Sequence, residues 1–347
     1  MKKKLNVLVT GAGNGVGQSI IKSLKISKFK LNIVAADINI FSSGLYVCDK
    51  SLIIPKVEDN NSRNKFVKIL TDNNIDILFV GSEFEIDYFS INKNYFEKKT
   101  KTIICISDNK IIKIGNDKFE TIKFLKKNDI PYPLTFIPNV NNLSKLTKLI
   151  KFPLILKDRF GTSSKNVFVI KNITELKKKI YFIKKPIIQE FLGRNNSEIF
   201  DEEYTCSFFS SIDKKIHGPF LSQRTIKYGT SWILKSIDNK QLKQLMLDIS
   251  KKIDFVGSIN IQLKKHKNKF IPFEINPRFS GTTCIRAALG FNEPEMYIQS
   301  FFYKKNIIKK KIKKEFVMRY FEEVFIKTNQ IKKLNNNFSK GYKKKWY

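Results

Sequence analysis

The 347-residue sequence predicts a mixed architecture: an α/β unit with a parallel sheet, followed by α+β regions richer in antiparallel strands. Three observations carry this. Apolar strand-like runs alternate with helix-like stretches from Leu5 to Ser107. From Glu203 onward strands dominate, and two of them can form a hairpin turning near Lys265–Asn268. Between these parts a middle region begins near Asn116, its first helix broken by Ile130-Pro131-Tyr132-Pro133.

Taken in order, Leu5–Thr10 reads as a strand, Gly11–Gly17 as a glycine-rich turn and Gln18–Lys25 as the start of a helix. Asn32–Asp37 is a second strand ending in an acid, and Ile75–Gly81 and Thr102–Ser107 are further strands, with a helix over Arg63–Thr71. Such alternation implies parallel pairing through right-handed crossovers. The middle region begins near Asn116 with a helix over Asp117–Asn128. It continues with strands at Pro153–Asp158, Asn166–Ile170 and Ile187–Phe191 and a helix over Thr174–Phe182. The third region holds strands Tyr204–Ser211, His217–Leu221, Gly257–Leu263 and Lys269–Ile275, with a helix over Asn239–Ile253. One strand, Phe316–Phe321, stands in the tail, and no segment repeats.

Apolar content of 42% and aromatic content of 13% are those of a chain that folds around a core. No apolar run reaches the roughly 18 residues of a membrane span. The basic start Met1-Lys2-Lys3-Lys4 leads directly into a strand, so no signal peptide is expected. Cys48, Cys105, Cys206 and Cys284 are far apart and form no C-x-x-C pair, which fits a reducing cytoplasm and argues against zinc or disulfides. His217 and His266 are the only histidines, so His-dependent nucleophile chemistry has little to work with. The net charge of +34 invites nucleic acid or an anionic membrane. The lysines are spread along a chain also crowded with Asn, Ile and Phe, residues that share A/T-rich codons, so genome composition accounts for them. Neither nucleic acid nor membrane is the expected partner, and only Lys304–Lys345 is a concentrated basic segment.

Gly11-Ala12-Gly13-Asn14-Gly15-Val16-Gly17 follows a strand and opens a helix, a context in which backbone amides can cradle phosphate. Asp37, 20 residues after Gly17, stands where a ribose-binding acid would lie. The same turn could serve only tight strand–helix packing, and both readings stay open. Its spacing also resembles that of short-chain dehydrogenases, but Ser82, Tyr95 and Lys99 fall too early to be their catalytic set. Glu83, Glu85 and Asp87 follow Ile75–Gly81 at the carboxyl end, where ligands of open sheets gather, but a solvated loop is the expected reading. The most informative stretch is Phe270–Gly281. Glu274 and Asn276 are two apart on a strand and share a face. Carboxylate and amide oxygens suit a hard cation shared with phosphates, and Arg278 could neutralise a transferring phosphoryl group. Gln262 could face the same point across the hairpin.

The succession Asn116-Asp117-Lys118, Phe152–Lys157, Ile188–Gly193, Glu203-Tyr204-Thr205, Gln262 and Glu274–Arg278 resembles the ATP-grasp superfamily, with its carbamoyl-phosphate-synthetase-like branch as the nearest likeness, over about residues 5–300. The resemblance implies a Rossmann-like pre-ATP-grasp domain over 1–112, a small ATP-grasp subdomain over 113–186, a large one over 187–310 and a basic C-terminal extension over 311–347. It implies that Lys118 and Lys157 bind ATP phosphates and that Gln189, Glu190, Phe191 and Leu192 form the hinge that reads adenine. Glu203 would hold the ribose hydroxyls, Gln262, Glu274 and Asn276 would bind Mg²⁺ (or Mn²⁺), and Arg278 would stabilise the transferred phosphoryl group. The phosphate flap, Asp158–Asn166, departs from the family in holding the single glycine Gly161, although Ser163 and Ser164 offer hydroxyls. Arg224 joins Arg278 as a catalytic candidate, with Arg286 beside it, for a substrate carboxylate or acyl phosphate. Gly229-Thr230-Ser231 is either a substrate loop or a turn.

The implied activity is an ADP-forming ligase in the cytoplasm that joins a small-molecule carboxylate to an amine, with a homodimer left open. A bicarbonate-activating carboxyphosphate enzyme and a non-catalytic ATP-binding module are the alternatives. A sugar-nucleotide oxidoreductase rests on the glycine turn alone.

Overall fold

The structure is a computed structural model that describes residues 4–48, 50–161, 166–193, 203–331 and 341–344. Its first sheet is wholly parallel: β1 (Leu5–Val9), β2 (Leu31–Asp37), β3 (Lys50–Ile53), β4 (Ile77–Phe79) and β5 (Ile103–Cys105), in the order β3-β2-β1-β4-β5. Val7, Leu8 and Val9 are all buried because helices cover both faces, which is why β1 reads as a continuous apolar run. Three of those helices are α1 (Gly15–Lys25), α2 (Ser62–Asp72) and α3 (Ile86–Thr100).

The glycine turn between β1 and α1 is there for close packing. A Cβ on Gly17 would lie 2.1 Å from the Gly11 carbonyl oxygen, and one on Gly81 would lie 2.2 Å from that of Thr10. Asp37 does not wait for a ribose: its Oδ2 accepts from the Gly13 amide at 2.8 Å.

Next come α4 (Asn109–Asn116), α5 (Lys118–Lys127) and α6 (Leu143–Leu149), the last two serving a second, antiparallel sheet. Its strands are β6 (Thr135–Phe136), β7 (Leu154–Asp158), β8 (Val167–Ile170) and β9 (Pro186–Glu190), in the order β6-β9-β7-β8, with α7 (Ile173–Lys179) between β8 and β9. Leu154 and Leu156 join Leu146, Leu176 and Ile188 in one core. By the two-residue period of a strand, Ile155 and Lys157 face the other way.

The third sheet is antiparallel, in the order β14-β13-β10-β11-β12-β15. Its strands are β10 (Glu203–Ser210), β11 (Ile216–Lys227), β12 (Thr230–Ser236), β13 (Gly257–His266), β14 (Lys269–Asn276) and β15 (Phe316–Met318), with α8 (Lys240–Lys252) packed near β11. Both α4 and α5 lie against β14, and a Cβ on Gly115 would sit 2.3 Å from the Pro277 ring. After β14 come α9 (Thr283–Ala288) and α10 (Glu293–Tyr297), which tie this sheet to α1. Ser19 Oγ on α1 donates to the Gly281 carbonyl at 3.2 Å, and Asn292 Nδ2 donates to the Ser23 carbonyl at 2.9 Å.

Several elements depart from the sequence expectation. Gly229 lies in the β11–β12 turn, with Tyr228 (φ 54°) and Gly229 (φ 70°) in the left-handed region, while Thr230 and Ser231 already belong to β12. The expected helix over Thr174–Phe182 ends at Lys179 and tightens into a single 3₁₀ turn over Ile180–Phe182. The tail strand stops at Met318, beyond which the Arg319 amide still bonds the Trp232 carbonyl at 2.9 Å and the Gly341 amide that of Tyr46 at 3.1 Å. Among the described residues no helix is long and apolar enough to cross a membrane.

Candidate active site

The β13–β14 hairpin sets the floor of the site. Its register puts Gln262 opposite Glu274 and Asn260 opposite Asn276, with a bulge just after Gln262. Glu274 Oε1 accepts from Asn276 Nδ2 at 2.9 Å and lies 3.4 Å from Gln262 Nε2. Burial alone would raise the pKa of Glu274. Lys118, the Asn276 hydrogen bond, Lys157 and Arg278 together outweigh that and hold it below the ordinary carboxylate value, so Glu274 is an anion.

Cations come to this anion from three directions. Lys157, on the face of β7 turned away from the second sheet's core, donates from Nζ to Gln189 Oε1 at 2.8 Å and stands 5.6 Å from the centre of the Phe273 ring. Gln189 is itself fixed by donating to Thr135 Oγ1 at 2.9 Å. Burial pushes the Lys157 ammonium down to about 8, with Glu274 opposing the shift. Lys118 is the first residue of α5, and its ammonium bonds the Gly161 carbonyl. Asp117 caps that helix by accepting from the amides of Phe119 and Glu120, and it receives both arms of Arg159 at 2.6 Å. Arg278 follows β14, donates to the Phe279 carbonyl at 3.0 Å and is ion-paired with Glu83.

Glu83 belongs to the segment expected to be a solvated loop, and that expectation fails. Glu83 holds Arg278, Asp87 Oδ1 accepts from Asn116 Nδ2 at 2.9 Å, and Glu85 is buried. Asp87 stays exposed, but Glu83 is drawn to Arg278 at the far end of β14, a contact between distant segments that the local sequence does not announce.

Glu203 and Arg224 form a buried pair beside the hairpin, at 2.6 and 3.1 Å. Arg224 also donates to Ser231 Oγ at 3.1 Å and to Gln262 Oε1 at 2.8 Å. Gln262 therefore turns its oxygen to Arg224 and its amide nitrogen to Glu274. Arg286, the other arginine considered for a substrate carboxylate, is fully buried and bonded to Glu293 at 2.8 and 2.9 Å. It is a structural ion pair.

At the hinge, Glu190 donates its amide to the Leu134 carbonyl at 2.8 Å and accepts the Leu134 amide through Oε2 at 3.2 Å. Glu190, Phe191 and Gly193 line a cleft of about 410 Å³ with Phe152 and, from the β13–β14 turn, Lys267. That volume lies in the range of small-molecule sites. Leu192 is buried beside it. Ser163 and Ser164 lie outside the described residues. Sequence reasoning missed the Asp117–Arg159 clamp and Glu83. Arg159, two residues beyond Lys157, was the available signal for the clamp.

Among the described residues no three His, Cys, Asp or Glu side chains cluster as a metal site. The donors next to the cations are one carboxylate, Glu274, with the amides of Asn276 and Gln262. A donor set this poor in charge suits a divalent ion only when phosphate supplies further oxygens.

Three family models match the chain: the PylC-like N-terminal domain over residues 7–104, the RimK-like ATP-grasp domain over 115–202, and the ATP-grasp domain of the biosynthetic pathway with Ter operon over 224–324. N5-carboxyaminoimidazole synthetase from Staphylococcus aureus, solved with ADP, is similar in fold at 17% identity and a TM-score of 0.70, covering 90% of this chain and 81% of that one. The synthase from Aspergillus clavatus, solved with ADP and 5-aminoimidazole ribonucleotide, gives 14%, 0.64, 88% and 78%. Biotin carboxylase from Campylobacter jejuni, as its β,γ-ATP complex, gives 15%, 0.71, 90% and 74%. No curated protein matches the chain in sequence. ATP-grasp domain models thus match the stretches that form the second sheet and part of the third, and the chain shares the fold of these ATP-grasp ligases.

Proposed function

We propose that the chain is an ATP-dependent, ADP-forming ligase that activates a carboxylate as an acyl phosphate and transfers the acyl group to an amine. The observation that carries this reading is the gathering of Lys118, Lys157 and Arg278 around the ionised Glu274, where the second and third sheets meet. ATP lies between those sheets, its adenine at the Gln189–Leu192 hinge and its phosphates on Lys118 and Lys157. The ribose hydroxyls face Glu203, whose second oxygen lies 3.7 Å from Lys264 Nζ. Residues 1–112 then form a Rossmann-like domain that closes the site through Glu83, residues 113–186 and 187–310 the two ATP-grasp subdomains, and 311–347 a basic extension.

Glu274 and Asn276 are the residues that would hold Mg²⁺ or Mn²⁺, with Gln262 beside them only if it releases Arg224. Such an ion, when bound, would neutralise charge on the β- and γ-phosphates. The carboxylate oxygen attacks the γ-phosphorus, the bond to the bridging oxygen breaks, and ADP leaves. Arg278 faces the charge that develops on the phosphoryl oxygens, and Lys118 and Lys157 hold the polyphosphate in line. The amine then attacks the acyl carbon, phosphate departs, and the nitrogen loses a proton. Positioning and charge neutralisation do the work, so no side-chain nucleophile is required.

The test is ADP release from ATP and Mg²⁺ with a panel of amino acids and uronic acids, bicarbonate included, each with and without an amine. The reading expects release that depends on one carboxylate and is lost in Glu274→Gln. Release driven by bicarbonate alone would make it a carboxyphosphate enzyme. ATP binding without turnover on any member would make it a binding module.

A further inference from the structure

The protein has 65 Lys and Arg against 31 Asp and Glu, yet carboxylates gather outside the phosphate site, along the carboxyl edge of the first sheet. Strands β2, β3 and β4 are parallel, so the segments that follow them leave on one edge. Asp37 ends β2, Glu58 follows β3, and Glu83 and Glu85 follow β4. The strand order also turns over there, between β1 and β4, which opens a crevice in sheets of this kind.

Glu83 is matched by Arg278, and Asp37 by the Gly13 and Asn39 amides at 2.8 and 3.0 Å. Glu85 is not matched. It is 6% exposed, and its Oε2 has no hydrogen-bond partner among the described residues. Burial raises its pKa to about 7, a hydrogen bond with Thr10 opposing it and the charges of Asp37 and Glu58 adding to it, and among the described residues no lysine or arginine stands out against the shift. A buried carboxyl oxygen with nothing to accept from is costly, and a cationic donor is what relieves it.

At the same edge most amides of the glycine turn are already engaged, so little is left there for an anion. The amides of Val16 and Gly17 are both held by Asn14 Oδ1 at 3.0 Å, that of Asn14 by the Gly11 carbonyl at 3.0 Å, and that of Gly13 by Asp37. Its rim is apolar: Phe84 is 79% and Phe41 74% exposed, on the segments that follow β4 and β2.

We propose that this crevice binds the ammonium group of an amine with an apolar body, Glu85 taking the charge with Asp37 and Glu58 behind it and Phe41 and Phe84 packing the body. Glu83, two residues from Glu85, touches Arg278, so the crevice adjoins the phosphoryl-transfer site. The ligase reading is needed only to call the bound amine a substrate; the binding site stands without it.

The experiment is calorimetric titration of the full-length protein at pH 8 with n-hexylamine, and with hexanol and hexanoate as probes of the same length without the cation. Hexylamine should bind once per chain, hexanol and hexanoate should not, and Glu85→Gln should weaken hexylamine at least tenfold while ATP binding is unchanged. Glu58→Gln, at an exposed position, should weaken it by a smaller factor and serves if Glu85→Gln does not fold. Hexanoate binding as well as hexylamine, or hexylamine binding unaltered in both variants, would overturn the proposal. Failure of the ligase reading looks different: hexylamine binds, but no carboxylate drives ADP release.

Discussion

Lys157 should lose its proton within the working pH range, and ATP should restore it. Its ammonium stands at about 8 where an ordinary lysine stands at 10.5, a factor of about 300 in proton affinity, or about 3 kcal/mol. Burial is the cause, and a polyphosphate beside the ammonium removes it by supplying the missing countercharge. Between about pH 8 and 10, ATP must therefore bind with uptake of a proton. In that window its dissociation constant should rise by up to about tenfold per pH unit. Calorimetry at pH 9 in two buffers of different ionisation heat reads the uptake directly. Lys157→Met should bind ATP more weakly at pH 7 and show neither uptake nor pH slope. In the ligand-free protein the unfolded chain binds the proton that the folded chain has released, so stability should rise from about pH 8 to 10.5. Absence of proton uptake in the wild type, or the same slope in Lys157→Met, would refute the reasoning.

Two further outcomes follow from buried charge. Removing one partner of the Arg286–Glu293 pair, by Arg286→Met or Glu293→Gln, leaves the other unmatched in the core and should cost roughly 3–5 kcal/mol in urea unfolding. Glu85 has a folded-state pKa raised from 4.5 to about 7. Its neutral form is favoured by the fold, so stability should fall as pH rises from about 4.5 to 7, by at most about 3 kcal/mol. Glu85→Gln should flatten that slope, which urea midpoints at pH 5 and pH 8 would show.

The sequence disclosed what depends on local pattern. The turn from β1 into α1 was legible because a strand, a glycine run and a helix start are consecutive in the chain. The pairing of Gln262 with Glu274 was legible because a hairpin fixes register over a few residues. Contacts between distant segments were hidden. Glu83 looks like a solvated acid until Arg278 is carried to it across 195 residues of chain, and Glu85 until the fold buries it. Arg286 looks like any arginine until α10 returns Glu293 to it. Asp37 was in the position of a ribose ligand, but its use was decided by the Gly13 amide 24 residues earlier. Strand β12 is hidden because its first residues, Thr230 and Ser231, follow directly on the left-handed Tyr228-Gly229 turn and read with Gly229 as a turn or a substrate loop.

The central claim is that a carboxylate oxygen attacks the γ-phosphorus of ATP. With whichever carboxylate drives ADP release, both carboxylate oxygens are labelled with ¹⁸O and the released phosphate is analysed by mass. An acyl phosphate that is then displaced by an amine leaves one ¹⁸O in each phosphate. Unlabelled phosphate, or formation of AMP and pyrophosphate, would contradict the account.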